Sequence, residues 1–175
     1  MKVLLMVPVA LAFLAGPPKA RADEMEQITL RLKGVHSDED GVTIMEALAR
    51  VPNIKVATRP TTQNPTVILV PLDGAKYDLG DLARTVAAAR IPNRAKEAPS
   101  AALLLSYQAD GERAAALARN LETICAKLKG IDAKNCRFDA QKKELEIKLD
   151  DKGGAKLVDI KSSFPGLDTE YYPKR

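Results

Sequence analysis

The chain has 175 residues, 27 Lys and Arg against 23 Asp and Glu, and a formal net charge of +4. Aromatic residues are scarce, with no Trp, three Phe and four Tyr, which disfavours nucleic-acid binding because single-stranded bases stack on aromatic side chains. Three basic residues, Lys2, Lys19 and Arg21, lie within the first 22 positions, and the rest of the chain carries 24 basic and 23 acidic residues.

The first 22 residues have the pattern of a cleaved secretory signal peptide. Lys2 supplies a positive start, residues 3–15 form an apolar run, and Ala20-Arg21-Ala22 has the small-x-small pattern of a signal peptidase site. The run of ~13 apolar residues is too short to span a bilayer, which needs about 20. We therefore expect an exported protein, periplasmic or secreted, that begins at Asp23 and is not inserted in the membrane after signal cleavage.

Residues 23–92 predict an α+β domain. Ile28, Leu30 and Leu32 alternate with polar residues, as in a half-buried strand. Leucine, isoleucine and alanine residues at helical spacing then predict a helix that ends before Pro52. In chain order, the predicted elements are a strand at 27–33, a helix at 38–50, strands at 54–58 and 66–71, a helix at 81–90 and a brief closing strand after Pro92.

Residues 93–100 are polar and contain a proline, which predicts a linker. Residues 101–175 then repeat the order of the first domain, and Gly130 is placed as the C-cap of the longest helix. The predicted elements are strands at 101–107, 136–138, 144–149 and 169–172 and helices at 111–129 and 155–163. The sequence thus predicts two tandem ferredoxin-like β-α-β-β-α-β repeats, with antiparallel sheets and helices on one face.

The first repeat resembles the heavy-metal-associated domain of copper chaperones, mercury-binding proteins and metal pumps. Residues 34–40 lie where that family has its metal loop between the first strand and helix. Ile44, Ala47-Leu48 and residues 51–54 follow at the family spacing, and Leu82, Val86 and Ala89 match its second helix. The resemblance implies the ferredoxin-like fold and a connection with metal handling.

The family's two metal-binding cysteines are replaced in this chain. Ser37 and Asp40 stand at their positions in the first repeat, and Ala114 and Leu117 stand there in the second. Soft ions such as Cu(I) and Hg(II) are held by thiolates, so neither repeat can bind metal in the family's way.

His36, Asp38 and Asp40 nevertheless form a dense group of potential ligands, and His36 is the only histidine of the chain. One His with carboxylates can hold Zn(II) or Cu(II) weakly. The alternative is that Ser37 caps the helix and that the acidic residues of its first turn offset the helix dipole, each by about 0.3–1 kcal/mol.

Cys125 and Cys136 are separated by ten residues, which is no metal motif. In an exported chain, two cysteines on adjacent elements predict first a disulfide. Buried free thiols and a metal or redox role remain as alternatives.

The sequence predicts no enzyme. It contains no nucleophile elbow, phosphate loop, dinucleotide fingerprint or zinc-protease helix, and Asp150-Asp151 before Gly153-Gly154 predict a solvated turn. We expect no catalytic residue and no cofactor, apart from the weak Zn or Cu site considered above. The leading hypothesis is an exported binding or adaptor protein with a protein partner and no nucleic-acid partner. The alternative is a metal-ion binding protein that uses His36, Asp38 and Asp40.

Overall fold

A computed structural model describes residues 27–72, 77–91, 98–107, 111–164 and 167–168. The predicted signal peptide at 1–22, the closing strand after Pro92 and the final strand at 169–172 lie outside the described residues. Most of the predicted linker lies outside them as well, since residues 92–97 are not described.

The protein is an α+β structure, and its strands and helices follow the predicted order. The strands are β1 (Ile28–Lys33), β2 (Ile54–Val56), β3 (Thr66–Pro71), β4 (Ser100–Tyr107), β5 (Arg137–Asp139), β6 (Glu144–Lys148) and β7 (Leu167–Asp168). The helices are α1 (Asp38–Leu48), α2 (Leu79–Ala87), α3 (Gly111–Cys125) and α4 (Leu157–Ser163), with a 3₁₀ turn at Ala133–Asn135.

The strands form one antiparallel sheet in the order β2-β3-β1-β4-β6-β5. In its centre, Leu103 of β4 pairs with Leu30 of β1 on one side and with Ile147 of β6 on the other. Ser106 of β4 pairs with both Glu144 of β6 and Asp168 of β7, so β7 extends the sheet on the β1 side of β4. The predicted α+β class and the antiparallel pairing of the strands are confirmed, although the strands form one sheet.

Strand β4 joins the two halves of the chain. It pairs with β1, from the predicted domain at 23–92, and with β6, from the predicted domain at 101–175. Strands of both halves therefore belong to one sheet, and their apolar side chains belong to one core. The division into domains at 23–92 and 101–175 stays a prediction.

One face of the sheet carries the core, because alternate side chains of each strand point to it. Leu30, Leu103 and Ile147 are no more than 1% exposed, and all four helices pack on this face. The buried core residues are Ile44 and Leu48 in α1; Leu79, Leu82, Ala83 and Val86 in α2; Leu117, Leu121 and Cys125 in α3; and Ile160 in α4.

The end of α3 differs from the prediction. The helix ends at Cys125, and the amide of Leu128 donates to the carbonyl of Cys125 over 3.0 Å in a tighter turn. Gly130, with a φ of +71°, is therefore not the helix cap. A Cβ at Gly130 would lie 2.6 Å from the backbone nitrogen of Ala155, so the close approach of these two segments requires glycine here.

Candidate functional site

The described residues enclose a cleft of about 700 Å³ at the junction between the two halves of the chain. One wall is formed by α2 and the start of β4, and the other by the loop after α3 and the turn after β6. The lining residues are Ala83, Ala87, Ala98, Pro99, Ser100, Ala101, Ile131, Asp132, Ala133, Lys134, Lys148, Leu149, Asp150, Asp151 and Lys152.

The walls are held in place by contacts between the start of α2 and the turn after β6. Asp78 caps α2 by accepting a hydrogen bond from the amide of Gly80 at 2.6 Å, and its other carboxylate oxygen accepts from the amide of Gly154 at 3.2 Å. One turn along the helix, Arg84 Nε donates to the carbonyl of Asp151 at 3.2 Å. The predicted turn at 150–154 therefore also packs against the other half of the chain.

The cleft has an apolar floor, where Ala83, Ala101 and Leu149 are no more than 3% exposed. Its rim has charges of both signs and includes the exposed Lys134, Asp151 and Lys152. Its rim carries three lysines and three aspartates, and none of the described lining side chains is aromatic. A hydrogen bond from the amide of Lys152 lowers the pKa of Asp150. Burial lowers the pKa of Lys148, and the positive charge of Lys33 lowers it further. The cleft therefore suits a ligand with an apolar segment and charges of both signs.

The two cysteines lie side by side next to the cleft. Cys125, the last residue of α3, is 0% exposed, and the half-buried Cys136 precedes β5. A hydrogen bond between the thiols raises the pKa of Cys125 and lowers that of Cys136. Cys136 Sγ also lies 3.5 Å from the carbonyl oxygen of Asp132, a cleft residue, and donates to it. Both thiols are free in this structure, and the disulfide stays a prediction.

The predicted metal ligands lie at the start of α1, where two of them bond the backbone. Asp40 is 5% exposed, and its Oδ2 accepts from the amides of His36 at 2.8 Å and Ser37 at 3.0 Å. Ser37 Oγ accepts in return from the amide of Asp40 at 3.1 Å, which completes a capping box. Asp38 Oδ1 accepts from the amide of Thr62 at 3.1 Å.

These bonds explain the two aspartates without a metal ion. Among the residues that the structure describes, no group of three or more His, Cys, Asp or Glu side chains is arranged to hold a metal. His36 is exposed to solvent. The Zn or Cu site at His36, Asp38 and Asp40 stays a prediction.

Sequence reasoning missed a charged cluster on the sheet face opposite the core. Arg31 of β1 reaches over β4 to β6, where its guanidinium pairs with Glu144 at 2.6 Å and with Glu146 at 3.0 Å. Lys33 Nζ lies 3.5 Å from Glu146 Oε1, a buried atom that accepts no hydrogen bond from the described residues. Alternating charged residues in both strands were the available signal, but the strand pairing was needed to read it.

The carboxylates keep the Arg31 guanidinium charged although it is partly buried. Burial by itself lowers the pKa of Arg31, but the negative charges of Glu144 and Glu146 outweigh it, and the pKa is raised. The small side chain of Ala102, which pairs with Arg31 on β4, leaves room for the guanidinium to cross. The cluster therefore links β1 to β6 across β4 on this face.

None of the helices in the described ranges is long and apolar enough to cross a membrane. Comparison of the chain with protein families, with curated proteins and with solved structures finds no significant match.

Proposed function

We propose that this protein is an exported, non-enzymatic binding or adaptor protein that holds an extended segment of a protein partner in the cleft between its two halves. The observation that carries the proposal is the cleft itself, with its apolar floor and its rim of three lysines and three aspartates. Export rests on the signal-like pattern of residues 1–22.

The strand order supports a fold of two ferredoxin-like repeats that share β4. Residues 28–107 run β-α-β-β-α-β, and their strands are ordered β2-β3-β1-β4. Residues 100–168 run through the same elements, with the corresponding order β5-β6-β4-β7. With β4 as the last strand of the first repeat and the first strand of the second, both repeats have the same arrangement. The cleft then lies at the junction of the repeats.

The resemblance to heavy-metal-associated domains connects the proposed partner with metal handling. The family uses the start of the first helix to bind metal, whereas here Ser37 and Asp40 form a capping box at that place. We infer that the scaffold is kept for contact with another protein rather than for metal transfer at this loop.

A polypeptide segment fits the chemistry of the cleft better than a nucleic acid does. Lysine and aspartate side chains on one rim can pair with both acidic and basic residues of a peptide, which gives specificity. A nucleic acid offers negative charge only, and Asp132, Asp150 and Asp151 would repel it. The described lining also provides no aromatic ring on which a base could stack.

The test uses a library of displayed random peptides and selects those that bind the chain without residues 1–22. Two matched variants of the same chain are tested in parallel. Ala87 lines the cleft, so Ala87→Trp fills it, whereas the neighbouring Ala88 is exposed and is not a lining residue. We expect peptides with charges of both signs to be enriched on the original chain and on Ala88→Trp and to be lost on Ala87→Trp. Equal retention by all three proteins, or no enrichment at all, would contradict the proposal.

A further inference from the structure

The two cysteines flank a segment of the chain that forms part of one wall of the cleft. Four cleft residues, Ile131 to Lys134, belong to the segment 126–135 between Cys125 and Cys136. This segment is also tied to β6, because Ile131 pairs with Leu149 and the amide of Asp132 donates to the carbonyl of Lys148 at 2.9 Å. Formation of a bond between the two sulfurs would therefore fix both ends of segment 126–135, which is already held at its middle by Ile131 and Asp132.

The two thiols interact through a hydrogen bond but differ in their surroundings. Cys125 is fully buried at the C-terminal end of α3, where it belongs to the hydrophobic core. Cys136 is only half-buried and lies in the turn that leads to β5. A reagent from solution therefore reaches Cys136 first, and Cys125 is placed to react with whatever Cys136 carries.

We propose that Cys125 and Cys136 are a reversible disulfide site, oxidised by exchange with an external disulfide, and that the bond rigidifies the 126–135 wall and so tightens binding in the cleft. The second half of this proposal rests on the proposed peptide-binding function. The disulfide exchange itself does not depend on it.

The proposed thiol–disulfide exchange takes place in two steps. The Cys136 thiolate attacks the external disulfide, forms a mixed disulfide and releases one external thiolate, which takes up a proton. Cys125 then loses its proton, attacks the Cys136 sulfur and releases the second external thiol. Two protein thiols are oxidised and one external disulfide is reduced to two thiols.

The pKa directions agree with this order of events. The Cys136 pKa is lowered because Cys125 donates a hydrogen bond to its sulfur, which favours the thiolate at the more accessible position. The interaction with Cys136 is also the largest cause of the raised Cys125 pKa. Once Cys136 is in a mixed disulfide it carries no charge, so this obstacle to deprotonation of Cys125 is removed.

The chemical test treats the folded chain with oxidised glutathione and follows the products by mass spectrometry. We expect the original chain to lose both thiols and gain no glutathione, Cys125→Ala to hold one glutathione on Cys136, and Cys136→Ala to remain unmodified while folded. Mild reduction of the oxidised chain should restore both thiols. A stable mixed disulfide or unreacted thiols on the original chain would overturn the proposed site, as would faster modification of Cys125 than of Cys136.

The second test compares the oxidised and reduced forms in two ways. Amide hydrogen exchange should slow in segment 126–135 of the oxidised form, a readout that needs no ligand. A peptide selected on the cleft should bind the oxidised form about five-fold more tightly or better, the lower end of typical coupling between sites. If amide hydrogen exchange slows but no peptide is ever selected, the proposed peptide-binding function fails and the proposed disulfide stands. Unchanged amide hydrogen exchange, or equal peptide affinity of the oxidised and reduced forms, would overturn the proposed coupling between the disulfide and the cleft.

Discussion

Asp78 accepts a hydrogen bond from the backbone amide of Gly154, 76 residues away, at 3.2 Å. The same carboxylate caps α2 through the amide of Gly80. One side chain therefore starts a helix of the first half and binds a turn of the second half, beside the cleft.

Replacing Asp78 with Ala should reduce the free energy of unfolding by about 1–2 kcal/mol, since loss of an N-cap alone typically costs about 1 kcal/mol. The variant also leaves the Gly154 amide without this acceptor. Urea unfolding measures the change. Asp81→Ala is the matched control, because Asp81 lies in the same helix and its side chain makes an exposed ion pair with Arg84. It should cost less than about 1 kcal/mol. Equal losses in the two variants would contradict the role assigned to Asp78.

Gly80→Ala tests the close approach of α2 to the turn after β6. A Cβ at Gly80 would lie 2.2 Å from the Cα of Gly153, so backbone must move. We expect a loss of about 1–3 kcal/mol in unfolding free energy, as for other overpacked sites. Thr85→Ala in the same helix should change it by less than about 0.5 kcal/mol. Stabilisation by Gly80→Ala, as expected for a glycine in an open helix, would show that the two segments do not touch.

The Arg31 cluster should behave as a coupled unit. In a double-mutant cycle with Arg31→Met and Glu146→Gln, we expect a coupling energy of about 1–3 kcal/mol. Substitutions within one salt-bridge network do not have additive effects on the free energy of unfolding. Chemical unfolding of the four proteins measures it. The exposed pair Asp139 and Lys142, 3.6 Å apart, provides the comparison and should couple by less than about 1 kcal/mol. Similar coupling in both pairs would argue against a special role for the buried carboxylates.

Replacement of Asp40 and His36 separates helix capping from metal binding. Asp40→Ala removes the acceptor of two backbone amides and should cost about 1–2 kcal/mol in unfolding free energy. His36→Ala leaves the capping box in place and should change stability by less than about 0.5 kcal/mol. Calorimetric titration of the original chain with Zn(II) or Cu(II) should release no binding heat. Heat that disappears in His36→Ala would instead favour the metal-ion binding alternative.

The two thiols should be alkylated in a fixed order. Cys136 is half-buried and its pKa is lowered by the hydrogen bond with Cys125, so its thiolate persists to lower pH than that of an ordinary cysteine. Iodoacetamide should therefore modify Cys136 in the folded chain, with the midpoint of its pH–rate profile below that of a free cysteine. Cys125 should react only on unfolding. Peptide mapping by mass spectrometry identifies the modified residue, and prior modification of Cys125 would contradict the prediction.

The sequence by itself determined most of the local structure. Alternation in residues 28–32 predicted β1, the strand predicted at 66–71 has the bounds of β3, and Ser37 with Asp40 predicted the start of α1. These signals are local, since side-chain alternation and capping depend on residues a few positions apart. The end of α3 was misplaced by four residues because its apolar stripe continues beyond Cys125 into a turn.

Only the tertiary structure decided how the two halves combine. That β4 pairs with both β1 and β6, that Arg31 reaches Glu144 and Glu146, and that the cleft opens beside Asp78 all depend on pairings between residues far apart in sequence. The net charge of +4 carried no information on these points. A composition counts charges, whereas the function of a charge depends on which partner the fold places beside it.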